Sequence, residues 1–190
     1  MTTKAVARVV ASVIVAAVVS GCGDSLKDPY RPAPKADIAE AAAKMRKLPS
    51  VEATERDLMA VISQIAEATK AAAPGLDWQT VVNRNQSKLG CPSPYLETEG
   101  VSISTDRLTS AVPIADDEWA AVLQIARDIA ARNGITSFTV RADQPGRHDV
   151  VLHSPDQGNE IKLATAKAAL IGGVTGCRYR EVDLHKQPGN

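Results

Sequence analysis

Aromatic side chains are scarce in this sequence: two Trp, three Tyr and one Phe among 190 residues. A carbohydrate groove lined by aromatic platforms is therefore poorly supplied. Cysteine is scarce too, with three residues, which leaves no paired thiolates for a structural zinc site. Histidine also numbers three, without an HExxH arrangement. His148 and His153 flank one predicted strand at an odd separation, so they point to opposite faces and cannot share a metal. His185 lies in a polar tail. Neither a metal nor a cofactor is expected. There is no run of like charge, and 22 basic residues balance 22 acidic ones. Nucleic-acid binding and polybasic membrane docking gain no support from that balance. A G-x-S-x-G nucleophile elbow is missing. So is a glycine-rich loop opening a helix: Gly172-Gly173 and Gly176 fall among apolar, strand-like residues and read as a hairpin or bulge. Bulky aliphatic residues show no surplus that would line a lipid cavity.

What is present begins at the N-terminus. Lys4 and Arg8 precede one apolar run, Val9 to Val19. That run is about half of the roughly 20 residues a spanning helix needs, and it lacks the polar spacing of a core helix. The layout is that of a secretory signal. Val19-Ser20-Gly21-Cys22 fits the bacterial lipobox. Small side chains there admit a peptidase, and the Cys22 thiol is the nucleophile that would take a diacylglyceryl group. Ordinary secretion with cleavage at the same small residues is the alternative. Cutting before Cys22 removes 21 of 190 residues and leaves 169, enough for one domain. Lys4 and Arg8 leave with the leader, so 20 basic residues face 22 acidic ones. Cys91 and Cys177 remain. In an oxidising compartment they are expected to pair, with two buried free thiols as the alternative.

The expected organisation is a signal peptide over 1–21, a lipidated Pro/Ala-rich tether over 22–48, one domain over 49–183 and a polar tail over 184–190. Pro29, Pro32 and Pro34 keep the tether extended. "ADIAEAAAKMRKL" is either a short helix or spacer. Ser50 is an N-cap, with Glu52 and Glu55 in the first turn. The helix it opens carries Leu58, Val61, Ile62 and Ile65 on one stripe and runs to about Ala72. "LDWQTVVNRNQ" reads as a strand. "TEGVSISTDRL" alternates Val101 and Ile103 with Ser102 and Ser104, a half-buried strand. "ADDEWAAVLQIARDIAARNG" is the second helix, stopped by Asn133-Gly134. It lines up Trp119, Val122, Leu123, Ala126, Ile129 and Ala130. "ITSFTVRAD", the turn "QPGR" and "HDVVLHS" form a hairpin. "EIKLATA" and a last segment through Gly172-Gly173 complete the chain. Short turns favour antiparallel pairing. The expected fold is α+β: a two-layer sandwich, with an antiparallel sheet of about five strands and two helices on one face.

At this point four strings together resemble the LppA-like lipoproteins of mycobacteria: "LPSVEATERDLMAVISQIA", "PIADDEWAAVLQIARDIAARNG", "DQPGRHDVVLHSPDQGNEI" and "KAALIGGVTGCR". The resemblance covers most of the chain after the tether. It matches Cys22 to the lipobox cysteine and Cys91 and Cys177 to two domain cysteines. It implies a membrane-anchored envelope protein and brings no settled activity with it.

Candidate chemistry is thin. Asp116, Asp117 and Glu118 open a helix, where carboxylates serve as caps and dipole partners. Asp143, His148 and Asp149 surround a hairpin turn, and a His–Asp base there is the minor option. The leading expectation is a non-enzymatic interaction or scaffold domain, held by lipid on the outer side of the cytoplasmic membrane. A binding module for an envelope lipid or glycan is second, and a hydrolase around His148 or His153 third. Two helices cover one face of a sheet, so the other face meets water or a partner. Phe138, Val140, Val150 and Leu152 are expected on the helix side. Ser137, Thr139, Arg141, Asp149, Val151 and His153 are expected outward, with Thr139, Arg141, Val151 and His153 as the partner surface.

Overall fold

The computed structural model describes residues 32–82, 88–155 and 158–184. In chain order the elements are α1 (Lys35–Met45), α2 (Val51–Thr69), β1 (Gln79–Val81), β2 (Lys88–Leu89), a 3-10 turn (Tyr95–Glu97), β3 (Ser102–Ile103), β4 (Arg107–Ser110), α3 (Asp116–Arg132), β5 (Ser137–Gln144), β6 (Arg147–His153), β7 (Glu160–Thr165), β8 (Ala169–Val174) and α4 (Glu181–Leu184). Six strands form one sheet in the order β1-β4-β8-β7-β6-β5, antiparallel throughout. β2 and β3 pair in a separate two-stranded sheet. The two-layer α+β architecture is the expected one, with six strands in the main sheet instead of about five.

Local chemistry sets the helices. The Ser50 hydroxyl accepts the Ala53 N–H at 3.1 Å, so α2 starts at its expected cap. It ends at Thr69, short of Ala72, where the Ala72 and Ala73 N–H groups both turn back onto the Thr69 carbonyl. Leu58, Val61, Ile62 and Ile65 are buried along one stripe. In α3, Trp119, Val122, Ala126, Ile129 and Ala130 are buried and Leu123 is half-buried. These stripes meet Val150, Leu152, Ile161, Leu163, Ala169 and Ile171 from alternate positions of β6, β7 and β8. Each large aliphatic side chain fully removed from water there contributes about 1.5–3 kcal/mol. α1 is a helix, and it buries Ala41 and Met45.

Three expectations are corrected. β8 runs through Gly172 and Gly173 in regular register with Lys162 and Ile161, so the pair is neither hairpin nor bulge. Its cause is close approach: a Cβ on Gly173 would meet Leu58 Cδ2 at 2.8 Å and Ile62 Cδ1 at 3.0 Å. Second, "TEGVSISTDRL" is not one alternating strand. Ser102 is as buried as Ile103, because its hydroxyl donates to the Thr175 carbonyl, while the Thr175 hydroxyl accepts the Ile103 N–H. The chain breaks at Thr105, whose hydroxyl accepts the Gly173 N–H, and resumes as β4. Third, Phe138 and Val140 pair with Leu152 and Val150 on the helix side, yet stay 41% and 49% exposed. β5 is the sheet's edge, and helix cover thins there. The Arg127 guanidinium reaches over Phe138, 4.2 Å from the ring centroid.

Candidate binding surface

A strand sends alternate side chains to opposite faces. With Val150 and Leu152 under the helices, Val151 and His153 turn to the opposite face, which no described helix covers, together with their partners Thr139 and Ser137. The cross-strand registers continue this face through Lys162 and Glu160 on β7, Gly172 and Leu170 on β8, and Arg107 on β4. The pairing shifts between Val140 and Ala142, leaving Arg141 unpaired at a bulge. A bulge re-aims its side chain, and Arg141 here turns into the face.

Part of this face, from Arg107 to Arg141, borders an open groove of about 430 Å³. Its floor includes Val151, Leu170 and Gly172, and its charged groups are Arg107, Arg141, Lys162 and Glu160. Lys162 Nζ is 3.0 Å from Asp149 Oδ2. Arg107 and Arg141 are exposed, and neither guanidinium bonds to a described residue. Gly172 makes room for one of them, since a Cβ there would lie 3.1 Å from Arg107 Cγ. Val151 faces outward as expected but is only 4% exposed. Thr139 and Lys162 stand opposite it on either side in the sheet. Of the four expected surface residues, Arg141 and Val151 line the groove. Thr139 and His153 lie beside it as a pair, Oγ1 to Nε2 at 3.3 Å. Arg107, Lys162 and Leu170 were not foreseen. Lys162 comes in from β7, the next strand along the chain, while Leu170 and Arg107 reach this face from β8 and β4, two and three strands beyond β6, an order that no short-range pattern reveals.

His148 occupies the opposite face. Its ring stacks on Trp119, centroids 4.7 Å apart and 11° between planes. Nδ1 lies 2.7 Å from Asp143 Oδ1, and Nε2 lies 3.0 Å from Asp116 Oδ1. Asp116 Oδ1 also accepts the Gly146 N–H at 2.8 Å. The Gly146 bond, followed by the His148 bond, holds the Asp116 carboxyl below its ordinary value. This cluster clasps the β5–β6 hairpin to the start of α3. Both imidazole nitrogens meet carboxylates, and among the described residues no hydroxyl or thiol is bonded to them, so the arrangement is that of a structural tie. Helix capping falls to Glu118, whose carboxylate accepts the Ala115 N–H at 3.3 Å.

A disulfide joins Cys91 to Cys177 with the Cα atoms 5.8 Å apart. Cys22 and His185 lie outside the described residues. Among the described residues, no helix is long and apolar enough to cross a membrane, and no three His, Cys, Asp or Glu side chains are grouped to hold a metal ion.

A family model, LppA, described as a lipoprotein confined to pathogenic Mycobacterium, matches residues 26–181. A crystal structure of LppA from Mycobacterium tuberculosis is similar in fold, with a TM-score of 0.68 and 22% identity over 80% of this chain and 90% of that one. A DUF4853 family protein from Actinomyces odontolyticus aligns at a TM-score of 0.43 and 12% identity, over 73% of this chain and 76% of its own. No curated protein matches the chain.

Proposed function

Because the chain belongs to the LppA family of lipoproteins, we propose that it is a lipid-anchored, non-enzymatic binding domain of the cell envelope. The anchor is a diacylglyceryl group on Cys22, added after a leader over 1–21, and the domain stands on the outer side of the cytoplasmic membrane. Its working surface is the uncovered sheet face around Thr139, Arg141, Val151 and His153. One observation carries this reading: an open groove that sets two arginines without a described partner beside an apolar floor. Arginine beside buried apolar surface is the composition of a recognition site. An enclosed pocket that would bury most of a small ligand is not what this face offers.

Crosslinking in intact cells tests the reading. Arg141→Glu with His153→Ala should remove the main crosslinked partner and leave the circular dichroism spectrum and membrane fraction unchanged. An unchanged crosslinking pattern would place the working surface elsewhere.

A further inference from the structure

We infer that the groove docks an extended acidic segment of a protein partner, one that carries carboxylates on both sides of an apolar side chain. This rests on the reading of the uncovered face as the working surface. Arg107 is on β4 and Arg141 on β5, four strand spacings apart in the order β4-β8-β7-β6-β5. At about 4.8 Å per spacing, their backbones are about 19 Å apart. Both side chains line the one groove, so an extended chain crossing the strands meets both. Each guanidinium can grip a carboxylate by two parallel hydrogen bonds. Between them the half-buried Leu170, over Val151 and Gly172, offers a contact for one apolar side chain.

The same face argues against two other anionic partners. Glu160 lines the groove, and Asp149 already neutralises Lys162. A polyanion or an anionic bilayer presents negative charge everywhere and would be repelled by Glu160. A segment with spaced carboxylates leaves Glu160 in water. A bilayer is also broad and flat, whereas the arginines border a recess.

The test uses the purified full-length chain and a labelled peptide, Glu-Glu-Thr-Leu-Thr-Glu-Glu, about 23 Å long when extended. Fluorescence anisotropy should show saturable, salt-weakened binding. The peptide with Gln for Glu should not bind. Arg107→Ala and Arg141→Ala should each weaken binding about tenfold, and Arg132→Ala, at the end of α3, should not. The charge-reversed variant, Arg107→Glu with Arg141→Glu, should take the peptide with Lys for Glu. Peptide binding that ignores both arginines would overturn the inference. So would arginine-dependent binding to phosphatidylglycerol vesicles without peptide binding. If the peptide fails while the cellular crosslink still depends on Arg141, this inference falls and the broader reading stands.

Discussion

His148 shares a strand face with Val150 and Leu152, where an aliphatic side chain would be the simple choice. Its burial is tolerated because both ring nitrogens meet carboxylates and its face meets Trp119. A buried polar group without partners would cost about 1–3 kcal/mol. The near partner, Asp143, was legible in the sequence from the hairpin. Asp116 was not, because it comes from the start of α3, 32 positions away, and helix starts carry acids for a different reason. The tie has a pH signature. Asp116 is held below the ordinary aspartate value of 3.8, first by the Gly146 N–H and then by His148. A carboxyl with a lowered folded value stabilises the fold above its unfolded pKa, and that contribution disappears as pH falls through the folded value. The melting temperature of the wild type should therefore drop more steeply below about pH 4 than that of Asp116→Asn, which should melt lower than the wild type at neutral pH. Melting curves by circular dichroism from neutral to acid check this, and parallel curves would count against it.

Elements with a single dominant period were legible. α2 and α3 follow helical spacing, and the β5–β6 hairpin follows from alternation around Pro145-Gly146, with Gly146 at φ 71°. Elements settled by distant partners were not. Ser102 is buried because Thr175 accepts its proton, and Gly173 is glycine because α2 presses on β8. Neither cause lies near in sequence. The disulfide is the covalent case of the same rule. It joins the segment after β2 to the segment after β8, 86 positions apart. Closing a loop of that length stabilises by about 4–5 kcal/mol at most in the chain-entropy model. Reduction, or Cys91→Ser, should lower the melting temperature by roughly 10 °C. Hydrogen exchange should show the β2–β3 pair loosening before β6 and β7, whose residues are buried in the central core. A melting temperature unchanged by reductant would refute this.

At the scale of the whole molecule, the sheet divides the described residues into a packed side and an open side, and on the proposed reading the N-terminus would decide where the open side works. The sequence made the two-layer fold legible, and the lipobox made the anchor an expectation; the groove needed the strand order. α1 begins at Lys35, and the chain from Cys22 to Lys35 spans at most about 45 Å. An anchored domain would thus present its groove close to the membrane, within reach of envelope proteins rather than distant solutes. The anchor itself is testable. A single acyl chain holds a protein only marginally, and firm attachment takes a second chain or a polybasic patch. With 22 basic against 22 acidic residues overall, net charge offers no evident second signal, and the proposed anchor is the lipid of Cys22. Cys22→Ala should therefore move the protein from the membrane fraction to precursor or released forms. The circular dichroism spectrum of the purified protein should not change. Mass spectrometry of the wild-type membrane form should find Cys22 at the mature N-terminus carrying the added mass of a diacylglyceryl group. Mature, membrane-bound protein with an unmodified Cys22 would overturn the anchor, and with it the position assigned to the groove.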